Sequence, residues 1–121
     1  MELKDAITGM LDARKCLRSR QGVTDPVYIS EQMQRLAQYT GAVEEHLGQL
    51  EEAIEVMMTT KFINEAKNSS VNQAEKKARF ETGETKGQIA KLKRYVNSSW
   101  SLVSTAQSRW NHLQKDIAGQ I

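Results

Sequence analysis

Residues 26–57 read PVYISEQMQRLAQYTGAVEEHLGQLEEAIEVM, and along them Ile29, Met33, Leu36, Thr40, Val43, Leu47, Leu50, Ile54 and Met57 step by four and three without a miss. An α-helix turns once in 3.6 residues, so this spacing keeps one stripe on one face. Sustained this long, it is the seam of a coiled coil. Asp25-Pro26 opens the stretch as an N-cap followed by a proline whose fixed φ suits the first helical turn.

The same period returns near the C-terminus. Thr82, Thr85, Ile89, Leu92, Val96, Ser99, Val103, Ala106, Trp110, Leu113 and Ile117 form a second seam. Between the two runs stands Asn68-Ser69-Ser70, with Ser70 and Gln73 spaced as a capping box. Folding back about Ser69/Ser70 sets Leu50 against Ile89, Leu47 against Leu92, Val43 against Val96, Leu36 against Val103 and Ile29 against Trp110. Thr40 and Ser99, the polar seam residues in mid-helix, then fall opposite each other. The flanks are expected to pair Glu44 with Lys93 and Glu51 with Lys86, exposed ion pairs that select register more than they stabilise.

Before the first seam, Leu3, Ile7, Met10, Arg14 and Leu17 predict a shorter helix over about residues 2–20, ended by Gly22. Tyr39 and His46, with Leu102 and Tyr95, form an apolar strip beside the hairpin that a third helix would cover. The predicted fold is therefore all-α: a long antiparallel helical hairpin, about 26–67 and 71–120, with the short N-terminal helix making a three-helix bundle at one end. The chain reads as a single helical domain, 1–121, with a bundle end of 1–45 and 95–121 and a projecting hairpin arm of 46–94.

Composition agrees. The 121 residues are 26% charged and 6% aromatic, with one proline and seven glycines, too few turn formers for a sheet protein or a disulfide scaffold. Apolar runs are short, and Met1-Glu2-Leu3-Lys4-Asp5 is not a signal-peptide start, so a soluble, cytoplasmic protein is expected. The glycines of both long helices disfavour an isolated hairpin. Gly41 and Gly48, seven apart on an outer face, offer a place where another helix could approach, so a homo-oligomer is expected.

Enzyme signatures are missing. His46 and His112, with the lone Cys16, have no zinc-ligand spacing, and the glycines around Gly83 and Gly87 follow no strand, as a phosphate loop would require. Cys16 lies among Arg14, Lys15 and Arg18, cations that lower a thiol pKa, although an incidental thiol is the plainer reading. No catalytic residue, metal site or cofactor is expected.

Charge is more informative. Residues 1–22 carry an excess of cations, residues 23–60 hold Arg35 alone against seven acids, and residues 61–121 are strongly basic. Around the expected tip, Lys61, Lys67, Lys76, Lys77 and Arg79 are interleaved with Phe62 and Phe80. Cations beside aromatics suit single-stranded nucleic acid, the former meeting phosphates and the latter stacking on bases. Arg14, Lys15, Arg18 and Arg20 make a second basic patch. The plainer alternative is solvated helix surface and pairing with the acidic helix. Met58, Phe62 and Ile63 at the tip suit a protein partner instead.

The run Ser98-Ser99-Trp100-Ser101-Leu102-Val103, with Ser108-Arg109-Trp110-Asn111-His112-Leu113-Gln114, resembles the closing helix of small all-helical phage recombination accessory proteins of the T4-type mediator kind. The stretch from Val71 to Ala78 is similar to a helix entry of such proteins. The resemblance implies oligomers in a phage-infected bacterial host that bind single-stranded DNA. It also implies a recombinase and a single-strand binding protein as partners. The expected function is thus a non-enzymatic nucleic-acid-binding recombination or replication accessory. The rivals are a protein-binding adaptor or inhibitor, and a structural coiled-coil spacer.

Overall fold

A computed structural model describes the backbone over residues 1–66 and 71–119, and the side chains of 1–60, 63–64, 83 and 85–119. Among the described residues four helices follow in order: α1 (Leu3–Leu17), α2 (Gln21–Thr24), α3 (Pro26–Ala66) and α4 (Val71–Gly119). No strand occurs among the described residues. The fold is all-α, with α3 and α4 packed on each other and on α1. The Ser69/Ser70 turn lies outside the described residues. No described helix is long and apolar enough to cross a membrane.

The α3 start follows its sequence signal. Asp25 Oδ1 accepts from the amides of Val27 and Tyr28 at 3.1 and 3.3 Å, satisfying first-turn N–H groups that have no partner within the helix. Seam phase holds in the middle of both helices, while the seam-end residues Met57, Thr85 and Ile117 are exposed. Ile29, Leu36, Thr40, Val43, Leu47 and Ile54 are buried on α3, and Ile89, Val96, Ser99 and Ala106 on α4.

The chain divides into two compact units. One comprises Met1–Glu44 with Tyr95–Ile121, the other Glu45–Arg94. In the first, α1 contributes Ala6, Met10, Ala13 and Leu17 to the core, all without solvent exposure. The two alanines and Gly9 make this a close-packed face. A Cβ on Gly9 would stand 2.5 Å from three atoms of the Tyr39 ring, so the missing side chain is what seats that ring. On the α3 side, Arg35 Nη2 meets Asp12 Oδ2 at 3.0 Å and its Nη1 donates to Gln32 Oε1 at 2.5 Å. The hydrogen bond it donates to Asp12 raises the Arg35 pKa above its ordinary value, outweighing burial.

The link after α1 differs from the sequence expectation. The helix ends at Leu17 rather than near residue 20, and Gly22 does not terminate it. Gly22 is buried inside the short helix α2, and no glycine in the chain takes a positive φ. Its role is close approach. A Cβ there would stand 2.3 Å from the Cys16 carbonyl oxygen and 2.7 Å from the Leu17 backbone. Ser19 Oγ ties the turn by donating to Cys16 O at 2.6 Å and accepting from the Gly22 amide at 3.2 Å. From α4, Arg109 Nη1 donates to Leu17 O at 3.3 Å and Gly22 O at 2.9 Å, supplying a carbonyl at the end of α1 and one in α2 with a charged donor.

The flank pairs also differ. Lys93 pairs with Glu51 at 2.8 Å rather than with Glu44, Lys86 Nζ lies 3.4 Å from Met58 Sδ, and Trp100 Nε1 donates to Glu44 Oε1. The α4 partners of Glu44 and Glu51 each stand one heptad beyond the expected ones. Side chains lean toward the N-terminus of their own helix, and in an antiparallel pair two such leans converge only on this farther pairing. Thr40 and Ser99, both fully buried, do not bond to each other. Ser99 Oγ donates to Tyr95 O at 2.7 Å, whereas Thr40 Oγ1 has no partner.

Candidate anion-binding cleft

Within the first unit, α1 and its C-cap carry Leu11, Arg14, Lys15 and Arg18 along one side. With Ser19 and Tyr95 of α4 they line a surface cleft of about 470 Å³. Successive turns of a helix bring positions 11, 14, 15 and 18 together, and the packing of α1 on α4 adds the tyrosine. No carboxylate lines this cleft. The nearby Asp12 of α1 is directed to Arg35 instead, and among the described residues no acid pairs with Arg14, Lys15 or Arg18.

Arg14 forms the floor. It is 8% exposed, and its Nη1 donates to Tyr95 O and to Ser99 Oγ, each at 3.0 Å. Its Cζ sits 5.4 Å from the Tyr95 ring centroid, within cation–π range. Burial, then the charge of Arg18, lowers the Arg14 pKa below its ordinary value, with Tyr95 opposing weakly. An arginine nonetheless stays charged in a protein. The result is a positioned cation held by a carbonyl, a hydroxyl and a ring, with no counter-charge among the described residues. Lys15 and Arg18 are exposed at the rim. Such a group of donors binds oxyanions, for which guanidinium geometry is suited.

The second unit has a groove of about 270 Å³ of different character, where Glu51 and Glu55 of α3 face Lys86 and Lys93 of α4 across Ile54, Ile89 and Ala90. Charges balance there, and Lys93 is already paired. Nearby, Val56, Met57 and Ile63 are exposed, at 62%, 38% and 51%.

The sequence-derived nucleic-acid residues Lys61, Phe62, Lys67, Lys76, Lys77, Arg79 and Phe80 lie outside the described side chains. Of the partner-binding set, Met58 is half-buried beneath Lys86 and Ile63 is exposed. Gly41 belongs to the first unit and Gly48 to the second, and a Cβ on either would meet nothing within 4 Å. Among the described residues no three potential ligands converge as a metal site. Cys16 is half-buried, and its thiol beside Tyr28 is the main cause of the raised Tyr28 pKa. His112 lies 3.6 Å from Asp116 on an exposed face.

The Arg14 site was partly visible in the sequence. Arginine at an apolar-phase position between Met10 and Leu17 signals a cation turned inward, but its α4 acceptors could not be named from spacing. No known family model, curated protein or solved structure matches the chain.

Proposed function

We propose that this protein is a non-enzymatic, oligomeric helical protein that binds single-stranded nucleic acid through its phosphate backbone, as a phage-type recombination or replication accessory in the cytoplasm of the infected host. The observation that carries the reading is the cleft of Arg14, Lys15 and Arg18, a cationic surface lacking any neutralising carboxylate among its lining residues. The strongly basic segment from residue 61 onward adds to it, with Lys61, Lys67, Lys76, Lys77 and Arg79 capturing the strand and Phe62 and Phe80 stacking on bases. The recombinase and single-strand binding protein rest on the family resemblance alone.

Fluorescence anisotropy of a labelled single-stranded oligonucleotide, titrated at two salt concentrations, tests this. Micromolar or tighter binding that weakens steeply with salt is expected. The charge reversals Arg18→Glu and Lys76→Glu should each weaken it. An absence of binding at low salt rejects the reading. A second reading, a protein-binding adaptor, is favoured by the exposed Val56, Met57 and Ile63. It requires Ile63→Ser to abolish function while Arg18→Glu leaves function intact.

A further inference from the structure

We infer that the cleft between α1 and α4 is a discrete seat for one phosphate group, with Arg14 as its floor and Arg18 and Lys15 closing over it. This deepens the nucleic-acid reading at the same site, but a seat is a stronger statement than a basic surface. A diffuse surface needs only charge, whereas a seat needs a donor fixed in place before the ligand arrives.

Arg14 meets that requirement. Its Nη1 donates into α4, to Tyr95 O and to Ser99 Oγ, and its Cζ lies over the Tyr95 ring. Nε and Nη2 have no protein acceptor among the described residues. Among the described residues Thr40 Oγ1 is the one fully buried side-chain polar atom without a partner, so these Arg14 nitrogens are not sealed in the core. Arg14 lines the cleft, which is where they emerge. The unpaired nitrogens of a guanidinium form a fork that matches two oxygens of a phosphate. Arg18 and Lys15, one turn and one residue further along the chain, are exposed at the rim and have no counter-charge among the described residues.

A buried cation without an anion is destabilising in proportion to its desolvation. Phosphate would relieve that penalty, as well as the repulsion between Arg14 and Arg18 that helps to lower the Arg14 pKa. The ligand chemistry is therefore a phosphate oxyanion. It could come from a 5′-terminal monoester or from an internal phosphodiester of the same strand.

The test is an amide-resolved NMR titration of the full chain with inorganic phosphate, matched in ionic strength by chloride. Saturable shifts confined to Lys15–Ser19 and the neighbourhood of Tyr95 are expected. Arg18→Ala, an exposed substitution that leaves the Arg14 anchor intact, should weaken phosphate binding by about tenfold, the loss of one charge-assisted hydrogen bond. Lys115→Ala, a cation removed elsewhere on α4, should not change it. Arg14→Lys, which keeps the charge but loses the fork, should weaken binding too. Should that variant unfold, Arg18→Ala still decides.

Shifts that are linear and reproduced by chloride would overturn the seat, as would equal affinities for Arg18→Ala and Lys115→Ala. In a second arm, a 5′-phosphorylated oligonucleotide binding more tightly than its 5′-hydroxyl counterpart identifies the terminal group, and equal binding identifies the backbone. Oligonucleotide binding without a saturable phosphate site would overturn the seat and keep the nucleic-acid reading. Phosphate binding without oligonucleotide binding would do the reverse.

Discussion

The two units of the chain are built from the same two seams, yet they bury them differently. In residues 1–44 and 95–121, where α1 joins α3 and α4, Met10, Leu17, Ile29, Leu36, Thr40, Val43 and Ser99 are fully enclosed. In residues 45–94, among the described side chains, the best-covered are Leu47, Ile54 and Ile89, at 3%, 6% and 7% exposure, and Val56 and Met57 stand open. A heptad seam between two helices has solvent on both flanks, and a third helix is what closes one. The difference teaches that the periodic pattern sets which face is apolar, while the number of neighbouring helices sets how dry that face becomes.

Core truncation should separate the units most strongly. Leu36→Ala leaves a cavity that three packed helices cannot close, so a loss of about 3 kcal/mol is expected in urea unfolding. Ile54→Ala in the two-helix unit should cost about half as much, because solvent already reaches its surroundings. Equal losses would break the comparison.

Glycine substitutions sharpen it by changing sign. Gly22→Ala forces a methyl group into the Cys16 and Leu17 backbone and should destabilise by about 2 kcal/mol. Gly48→Ala meets open space on a helix and should stabilise by about 0.5–1 kcal/mol. Thermal melts followed by circular dichroism would show the two shifts in opposite directions. If Gly48 is instead covered by a second copy of the chain, the alanine variant should weaken oligomerisation in analytical ultracentrifugation.

Removing the α3 cap by Asp25→Ala should cost about 1 kcal/mol, felt in the unit that contains it. Tryptophan fluorescence reports this unit specifically, since Trp100 and Trp110 both belong to it. The smallest effect is expected from Glu51→Gln in the other unit. Its bond to Lys93 joins two side chains about half exposed, so the loss should stay below about 0.5 kcal/mol and shrink further with added salt.

Much of the architecture was legible beforehand because its cause is local. The spacing of Ile29 through Met57 fixes a helical stripe without reference to any other part of the chain. Asp25 caps α3 through amides only two and three residues away. Arg14 was legible as a member of the α1 stripe and of a basic patch. The flank partners were not, because a seven-residue period leaves the heptad letters unchanged when the partner moves by one heptad. Only the lean of the side chains in space chooses between Lys86 and Lys93 for Glu51.

The sequence by itself therefore determined that the chain is all-helical, where the seams run, where α3 begins, and that charge is unevenly distributed along it. Tertiary structure decided what could not be reduced to spacing. It made Ala6 and Ala13 core residues, turned Gly22 from a helix terminator into a point of close approach, and gave Arg14 its acceptors on α4. The physical reason is the range of the interaction. Helical phase and capping act within a few residues, whereas burial of a small side chain, clearance at a glycine and the acceptors of an arginine depend on groups brought together by packing. Arg14 and Ser99 meet only because α1 lies on α4, and that meeting builds the floor of the proposed phosphate seat.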